Sequence, residues 1–499
     1  MRGRAPVGRR TVRRPPHFDY VSFSQRQLSV ASLPLDLHLW ATRPMLTLVD
    51  LFAGCGGMSL GLELAGFEPI LAAELNPSAR LTYQANRTYL AADRVRGDVR
   101  ELARMSSKRL RALLELDQGD HPTILTGGPP CQGFSGIGHR RTHSDVEKEE
   151  IVSNHLYEDM VDIIAKIEPE VFVFENVRGL LSARWHRERP ERVWDSVRHR
   201  FLSRLGSRYA IAFQLVHGYD YGVPQNRPRV LMVGLRAARW DRLQTGISIE
   251  TLNDAFSAGE PLGVRAGLLP APRRRKGFPP DIVDLLGDLS DPDWDRRTDD
   301  RGHRRCDFYP RAARGDWQLA MRAKFCDDDG HIGAGADLAE QEYSKHSSHV
   351  VHRFEAIRNS ESGQAPLELR TRKFAQRLLP ARWVGLPNIT VASLPDDYVH
   401  FQHNRSFTVR EWARLQGFPD WYRFCGPRTT GGHRRAGDVR SGDSVREAPK
   451  YTQIGNAVPV ALAASIGWHV RHMLGISPSK FAGRLGRTRI AHLLREHFE

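Results

Sequence analysis

With 499 residues, of which 40% are hydrophobic and 26% charged, the chain has material for about three domain-sized units with a sizeable core, which excludes disorder throughout. No apolar run approaches the roughly 18 residues of a membrane span, and no apolar segment follows the Arg-rich N-terminus as it would in a secretory signal. Lys+Arg 73 against Asp+Glu 58 leaves a net charge of +15, which points to a polyanionic partner, nucleic acid first, although GC-rich arginine codons would produce part of the same bias.

In chain order, residues 1–44 read as a basic, flexible arm: Arg2, Arg4, Arg9, Arg10, Arg13 and Arg14 stand among Pro6, Pro15 and Pro16 with little apolar periodicity. The texture changes at Leu46. Leu46–Asp50 is a short apolar strand, followed by a Gly-rich turn and a helix pattern through Leu60, Leu62 and Leu64. A strand over Pro69–Leu75, a helix around Ala79–Tyr89 and strands at Thr123–Thr126, Val171–Phe174 and Val230–Val233 complete an alternating pattern, which predicts a parallel sheet covered on both faces. From about 236 to 400 the rhythm breaks into Arg-, Asp-, Pro- and Gly-rich sequence with scattered Trp294, Trp317 and Trp383, predicted as an irregular second domain. Motif-like sequence returns at Arg405–Phe424 and Thr452–Ile466.

Chemistry collects at the predicted strand ends. Asp50–Gly57 (DLFAGCGG) lies between a strand and a helix, where glycines allow close backbone approach and a helix N-terminus offers free N–H groups. Glu74 ends the next strand at a distance that suits ribose hydroxyls, which indicates an adenosine-type ligand but does not choose between a dinucleotide and S-adenosylmethionine. Asp98 ends a further strand and suits an adenine amino group or a helix N-cap. Gly127–Ser135 (GGPPCQGFS) sets Cys131 on a rigid turn, as a nucleophile or a buried structural thiol. Glu175 should emerge at the same edge, where a carboxyl beside a thiol suits general acid work. Gln225–Arg229 (QNRPR) supplies fixed cationic donors or is a surface turn, and Cys55 is expected to pack. The five cysteines Cys55, Cys131, Cys306, Cys326 and Cys425 contain no CxxC pair, so neither a disulfide framework nor a closed zinc site is expected.

Asp50–Gly57, Gly128–Ser135, Glu175–Val177, Gln225–Arg229, Arg410–Asp420 (REWARLQGFPD) and Gln453–Val460 (QIGNAVPV) resemble, in order, the signature blocks of the bacterial-type DNA cytosine-5 methyltransferases. The resemblance covers about residues 45–235 and 396–470. It implies an α/β, Rossmann-like S-adenosylmethionine-dependent methyltransferase domain with a smaller, irregular target-recognition domain. The implied divisions are an arm at 1–44, a catalytic and cofactor-binding domain at 45–235, target recognition at 236–395, the rest of the small domain at 396–449, a return segment at 450–475 and a tail at 476–499. As catalytic residues it implies Cys131, Glu175, Arg229 and Arg227; for the cofactor, Phe52, Gly54, Gly56, Gly57, Glu74, Asp98, Pro129 and Asn456. Cys131 would add to cytosine C6, Glu175 would act at N3 and the exocyclic amine, Arg229 at O2, and Gly136–Asn154 would close over a flipped base. No metal is implied. The expected partner is double-stranded DNA, with a cognate restriction endonuclease as a possible second; the protein is expected to be monomeric, away from membranes, in a prokaryotic cytoplasm. Methylation of transfer RNA by a related branch is the alternative; the long insert at 236–395 argues for duplex DNA. A non-catalytic binding protein is disfavoured by the intact Cys131, Glu175 and Arg229.

Overall fold

The structure is a computed structural model that describes residues 46–130, 152–186, 188–243, 245–273, 275, 277–299, 302–328, 330–371, 376–387, 389–392, 395–428, 447–477 and 483–498. The expected arm at 1–44 and most of the stretch expected to close over the base lie outside them.

Seven strands form one sheet: β1 (Leu46–Leu51), β2 (Phe67–Ala73), β3 (Val95–Arg96), β4 (Ile124–Gly127), β5 (Val171–Val177), β6 (Tyr209–His217) and β7 (Pro228–Arg236), in the order β3-β2-β1-β4-β5-β7-β6. Strand β1 pairs in parallel with both β2 and β4, and β4 in parallel with β5. The expectation of an all-parallel sheet is corrected at one edge, because β7 runs antiparallel to both β5 and β6. Nothing in the pattern marks the reversal. Strand β7 is buried and reads as a continuous apolar run, as interior parallel strands do. Strand β6 precedes β7 through residues 218–227, a 3-10 turn at Gly218–Tyr221 and a short loop, too short for the crossover that a parallel pair needs.

Successive side chains of a strand face opposite sides. Val171 and Val173 join one apolar cluster, while Phe172 and Phe174 join the other. On the first face lies α1 (Gly57–Leu64); α2 (Pro77–Ala85) starts at Asn76, whose carboxamide accepts from Ser78 N (3.1 Å) and Ala79 N (3.2 Å), with Pro77 at its first position. Helices α3 (Val99–Arg104), α4 (Ser107–Leu113), α5 (Leu156–Ile167) and α6 (Val193–Leu205) contribute to the second face. Helix α7 (Ile249–Ala258) covers the edge of the sheet along β6, with Leu252 in the first cluster and Phe256 in the second. Its Asn253 accepts from Ile211 N (2.9 Å) and donates to Gly206 and Tyr209 carbonyls (both 3.0 Å), so the sheet's covering runs past residue 235.

The remaining elements are short: α8 (Ile282–Leu286), α9 (Gly315–Arg322), α10 (Ser348–Asn359), the two-residue strands β8 (Arg377–Leu378) and β9 (Tyr398–Val399), and α11 (Val409–Leu415). The chain then returns through α12 (Lys450–Asn456) to α13 (Val460–Met473), which packs on α1. That approach is close because Gly61 faces it; a Cβ there would lie 2.5 Å from Ala463 Cβ. The segment 476–499, expected as a tail, carries α14 (Arg489–Phe498), whose Ile490, Leu494 and Phe498 are buried against α9 and α13.

Candidate active site

Three parallel strands, β1, β4 and β5, end side by side, and the turns that follow them line a cleft of about 840 Å³. This is the carboxyl edge of the sheet, where open α/β folds gather ligands. At the end of β1 the chain turns through two left-handed residues, Phe52 (φ 57°) and Gly54 (φ 56°). A Cβ at Gly54 would meet nothing within 4 Å, so this glycine leaves open space beside the cleft. Phe52, Gly54 and Gly57 are lining residues. Gly56 is not. It caps α1, and a Cβ there would lie 2.7 Å from Arg87 Nη1 and from Tyr422 Oη, which makes it a packing position. Cys55 packs as expected: it is buried, donates to the Gln453 carbonyl (3.3 Å), and burial pushes its thiol up to about 12.

Carboxylates mark the cleft at three strand ends. Asp50 accepts Ser59 Oγ (2.5 Å) and Thr126 Oγ1 (2.9 Å), and burial pushes its carboxyl up to about 6 against these hydrogen bonds. Glu74 accepts Gly54 N (2.8 Å) and Asn76 N (2.7 Å), which ties the turn after β1 to the end of β2. Burial raises its carboxyl as well. Asp98 caps α3 through Arg100 N (2.9 Å) and also holds the Arg100 guanidinium (2.6 Å to Nη2). The Arg100 hydrogen bonds keep its carboxyl below the usual range. The N-cap reading of Asp98 is therefore correct, and the side chain lines the cleft too.

Pro129 and Pro130 line the cleft after β4; Cys131 lies outside the described residues. Asn176 donates from Nδ2 to the Pro129 carbonyl (3.2 Å), fixing the turn against β5. Glu175, one residue earlier, forms a nearly buried ion pair with Arg229 inside the cleft. The antiparallel register of β5 with β7 brings these two together, with Val177 opposite Arg229. Gly128 makes room for this carboxylate, since a Cβ there would lie 3.0 Å from Glu175 Oε2.

The surface-turn reading of Gln225–Arg229 fails. Gln225 is fully buried and donates to the Leu415 carbonyl (3.0 Å) and Gln416 Oε1 (2.6 Å). Arg227 donates to the Val391 and Gly455 carbonyls, the latter at 2.6 Å, while burial disfavours its charge. This loop thus joins the sheet with its helices (the large lobe), the irregular elements between 282 and 420 that share its core (the small lobe) and the return segment, and Asn456 completes the lining from that segment. Sequence reasoning missed Arg100, Thr390 and Ala392, which also line the cleft. The first is visible only through its ion pair with Asp98; Thr390 is placed by its hydroxyl, which donates to the Asn226 carbonyl 164 residues earlier, and Ala392 by its carbonyl, which accepts from the Trp412 indole.

A mostly parallel sheet with a cleft of carboxylates and a buried Glu–Arg pair at its carboxyl edge defines an α/β enzyme of the nucleotide-handling type. The C-5 cytosine-specific DNA methylases match over residues 46–472, and the chain belongs to that family. It is 29% identical over 451 residues to the Type II methyltransferase M.DdeI of Desulfomicrobium norvegicum, covering 87% of this chain and 91% of that protein. It is 26% identical over 449 residues to the Type II methyltransferase M.XorII of Xanthomonas oryzae pv. oryzae, covering 87% and 86%. Among solved structures, the fold is similar to that of a putative DNA modification methyltransferase from an Escherichia coli prophage, with a TM-score of 0.56, 22% identity, and 86% of this chain and 99% of that one covered. The protein is a DNA cytosine-5 methyltransferase. Among the described residues, no helix is long and apolar enough to cross a membrane.

Proposed function

We propose that the cleft binds S-adenosylmethionine beside a cytosine turned out of duplex DNA, and that methyl transfer to C5 proceeds through a covalent bond between Cys131 and C6. One observation carries this reading: the Glu175–Arg229 pair shares a cleft with Glu74, Asp98 and the Pro129–Pro130 turn that leads into Cys131.

The donor set fits the cofactor. Glu74 has carboxylate lone pairs left after two backbone N–H bonds, suited to ribose hydroxyls. Phe52 offers an apolar ring, Gly54 and Gly57 give backbone access, and Asp98, Pro129 and Asn456 border the remainder. The bound cofactor supplies an electrophilic methyl group.

Cytosine C5 is a weak nucleophile until electrons enter the ring. The Cys131 thiolate adds to C6, and the displaced pair makes C5 nucleophilic. Glu175 holds the proton at N3 and the exocyclic amine, while Arg229 neutralises charge at O2. Arg227, held by carbonyls of two other segments, keeps that loop in place. Once C5 has taken the methyl group, a water molecule acting as base takes the C5 proton, the freed pair restores the C5–C6 double bond, and the Cys131 thiolate leaves with the C6–S pair. A stacked base cannot reach these groups, and turning it out costs a few kcal/mol.

Residues 236–395 hold target recognition, because catalytic groups treat any presented cytosine alike and base choice must come from groove contacts. Relatives named Type II methyltransferases support a role beside a restriction endonuclease of the same site. Bisulfite sequencing of host DNA from cells expressing the chain tests activity and target together: methylcytosine at one recurring sequence is expected, and none at any sequence overturns the reading.

A further inference from the structure

A turn of the small lobe is built to present apolar side chains outward. Val384 is 99% exposed, more than any other large apolar side chain among the described residues, and Leu386, two positions on, is 50% exposed. Exposing them costs hydrophobic free energy unless a partner covers them. The turn is held rigidly at both ends. Before the tip, Val283 N donates to the Ala381 carbonyl (2.9 Å), Trp383 N to Asp281 Oδ1 (2.8 Å) and the Trp383 indole to the Pro280 carbonyl (3.1 Å). After it, Asn226 N donates to the Ile389 carbonyl (2.7 Å), and Thr390 Oγ1 to the Asn226 carbonyl (2.6 Å). The second anchor is the loop that carries Arg227 and Arg229, and Thr390 itself lines the active-site cleft. Leu386 stands four residues from Thr390, so the tip lies within about 14 Å of the cleft wall even when fully extended.

We infer that Val384 and Leu386 form a recognition tip that contacts base edges of the target duplex beside the extruded cytosine. The inference rests on the proposal that residues 236–395 hold target recognition, and it deepens it to two residues. Size argues for DNA over a second protein, since two side chains fall far short of the roughly 800 Å² per partner of a stable protein interface. Continuity with the cleft wall supplies the rest. Charge decides which part of the DNA is touched: Arg382, the one cation among the described residues of the turn, is engaged by Asp281 (2.9 Å). Apolar side chains instead suit the thymine methyl group, the one apolar feature of the major-groove edge.

The test uses the full chain carrying Val384→Ser and Leu386→Ser, both at exposed positions. A library of randomised duplexes is methylated and read by bisulfite sequencing, cofactor affinity is measured by calorimetry, and binding to a non-target duplex is followed against salt. Preference at one or two base pairs should relax by about tenfold, while cofactor affinity and the salt slope stay at the wild-type values. A site preference within twofold of wild type overturns the tip; a changed salt slope with unchanged preference also overturns it, in favour of phosphate contact. Photocrosslinking from a benzophenone amino acid at position 384 gives a second reading. A crosslink to the target duplex is expected, and none, or one to another protein copy alone, is contrary. Exchange of 236–395 for the region of another family member separates the levels: if the exchange moves the site but the double variant does not, recognition stands and the tip falls; if the exchange leaves the site unchanged, the recognition proposal falls with it.

Discussion

The two lobes are held together by different means. In the large lobe a repeated strand-turn-helix pattern sets Phe52, Glu74, Asp98 and Glu175 at or just past strand ends, each fixed by contacts made through the same sheet edge. The small lobe, by contrast, is cross-braced by buried charge. Arg414 donates to both carboxylate oxygens of Asp288 (2.6 and 3.0 Å) and of Asp420 (2.9 and 2.5 Å), while Arg322 holds Asp288 from the other side (2.6 Å). Arg405 and Glu411 make a second buried fork (2.8 and 2.7 Å), closed by the capping box of Thr408. The REWARLQGFPD block is therefore a bracket: Arg414 reaches Asp288 across the lobe, Arg410 donates to the Ala339, Pro419 and Tyr422 carbonyls, and Glu411 and Asp420 are engaged by Arg405 and by Arg414 and Tyr309. A sheet can exchange loops without losing its edge, whereas a lobe built on a few buried ion pairs depends on every partner.

Two substitutions separate chemistry from bracing. Cys131→Ser should abolish methyl transfer while leaving cofactor binding and thermal stability at wild-type values, because a hydroxyl is far less acidic than a thiol. Wild-type protein should be trapped on DNA containing 5-fluorocytosine as a denaturant-stable adduct. Transfer by the variant at the wild-type rate would sink the covalent mechanism. Arg414→Ala should do the reverse, leaving Asp288 and Asp420 buried with one partner fewer, at a cost of about 3–5 kcal/mol. A denaturant midpoint unchanged from wild type would show that Arg322 and Tyr309 suffice to hold those carboxylates.

The same contrast decided what the sequence could disclose. Strands β1, β4 and β5 were legible because each is a short apolar run followed by a glycine or an acidic residue, all within ten positions. The reversal of β7 was not, since burial on both faces gives antiparallel strands the apolar runs of parallel ones. Strand β6, Tyr209–His217, was missed although its alternation is plain in the structure: Ala210 and Ala212 face one cluster, Ile211 and Phe213 the other. Small residues on one side weaken the apolar signal there. In the small lobe the pairing of Arg414 with Asp288 spans 126 positions, and no local pattern announces a partner that far away. The burial of Gln225–Arg229 was hidden for the same reason, as its partners Leu415, Val391 and Gly455 come from later segments.

Glu74→Ala sharpens the comparison at the sheet edge. Hydrogen bonds to a charged group contribute about 1.5–3 kcal/mol, so S-adenosylmethionine should bind tenfold or more weakly by calorimetry. Glu74 also gathers the N–H groups of Gly54 and Asn76, so part of any loss could come from a slackened turn. Glu74→Gln separates the two: one carbonyl oxygen can still accept from the turn, but the charge facing the ribose is gone. Equal affinity for wild type and both variants would mean that the ribose is held elsewhere.

The smallest effect is expected from removing residues 1–40, and it asks whether recognition belongs to the braced lobe alone. Those residues carry many arginines and no apolar periodicity, a composition that meets phosphates without reading bases. Truncation should leave the methylated sequence unchanged and lower only salt-sensitive affinity, each lost phosphate contact reducing the slope of log K against log salt by about 0.9. Competition binding across a salt series, paired with bisulfite sequencing of the truncated enzyme's products, reads both quantities. A shifted target sequence would assign part of base selection to the arm. Loss of solubility would show instead that the arm packs on the core, with the apolar stretch Leu33–Trp40 as the first candidate.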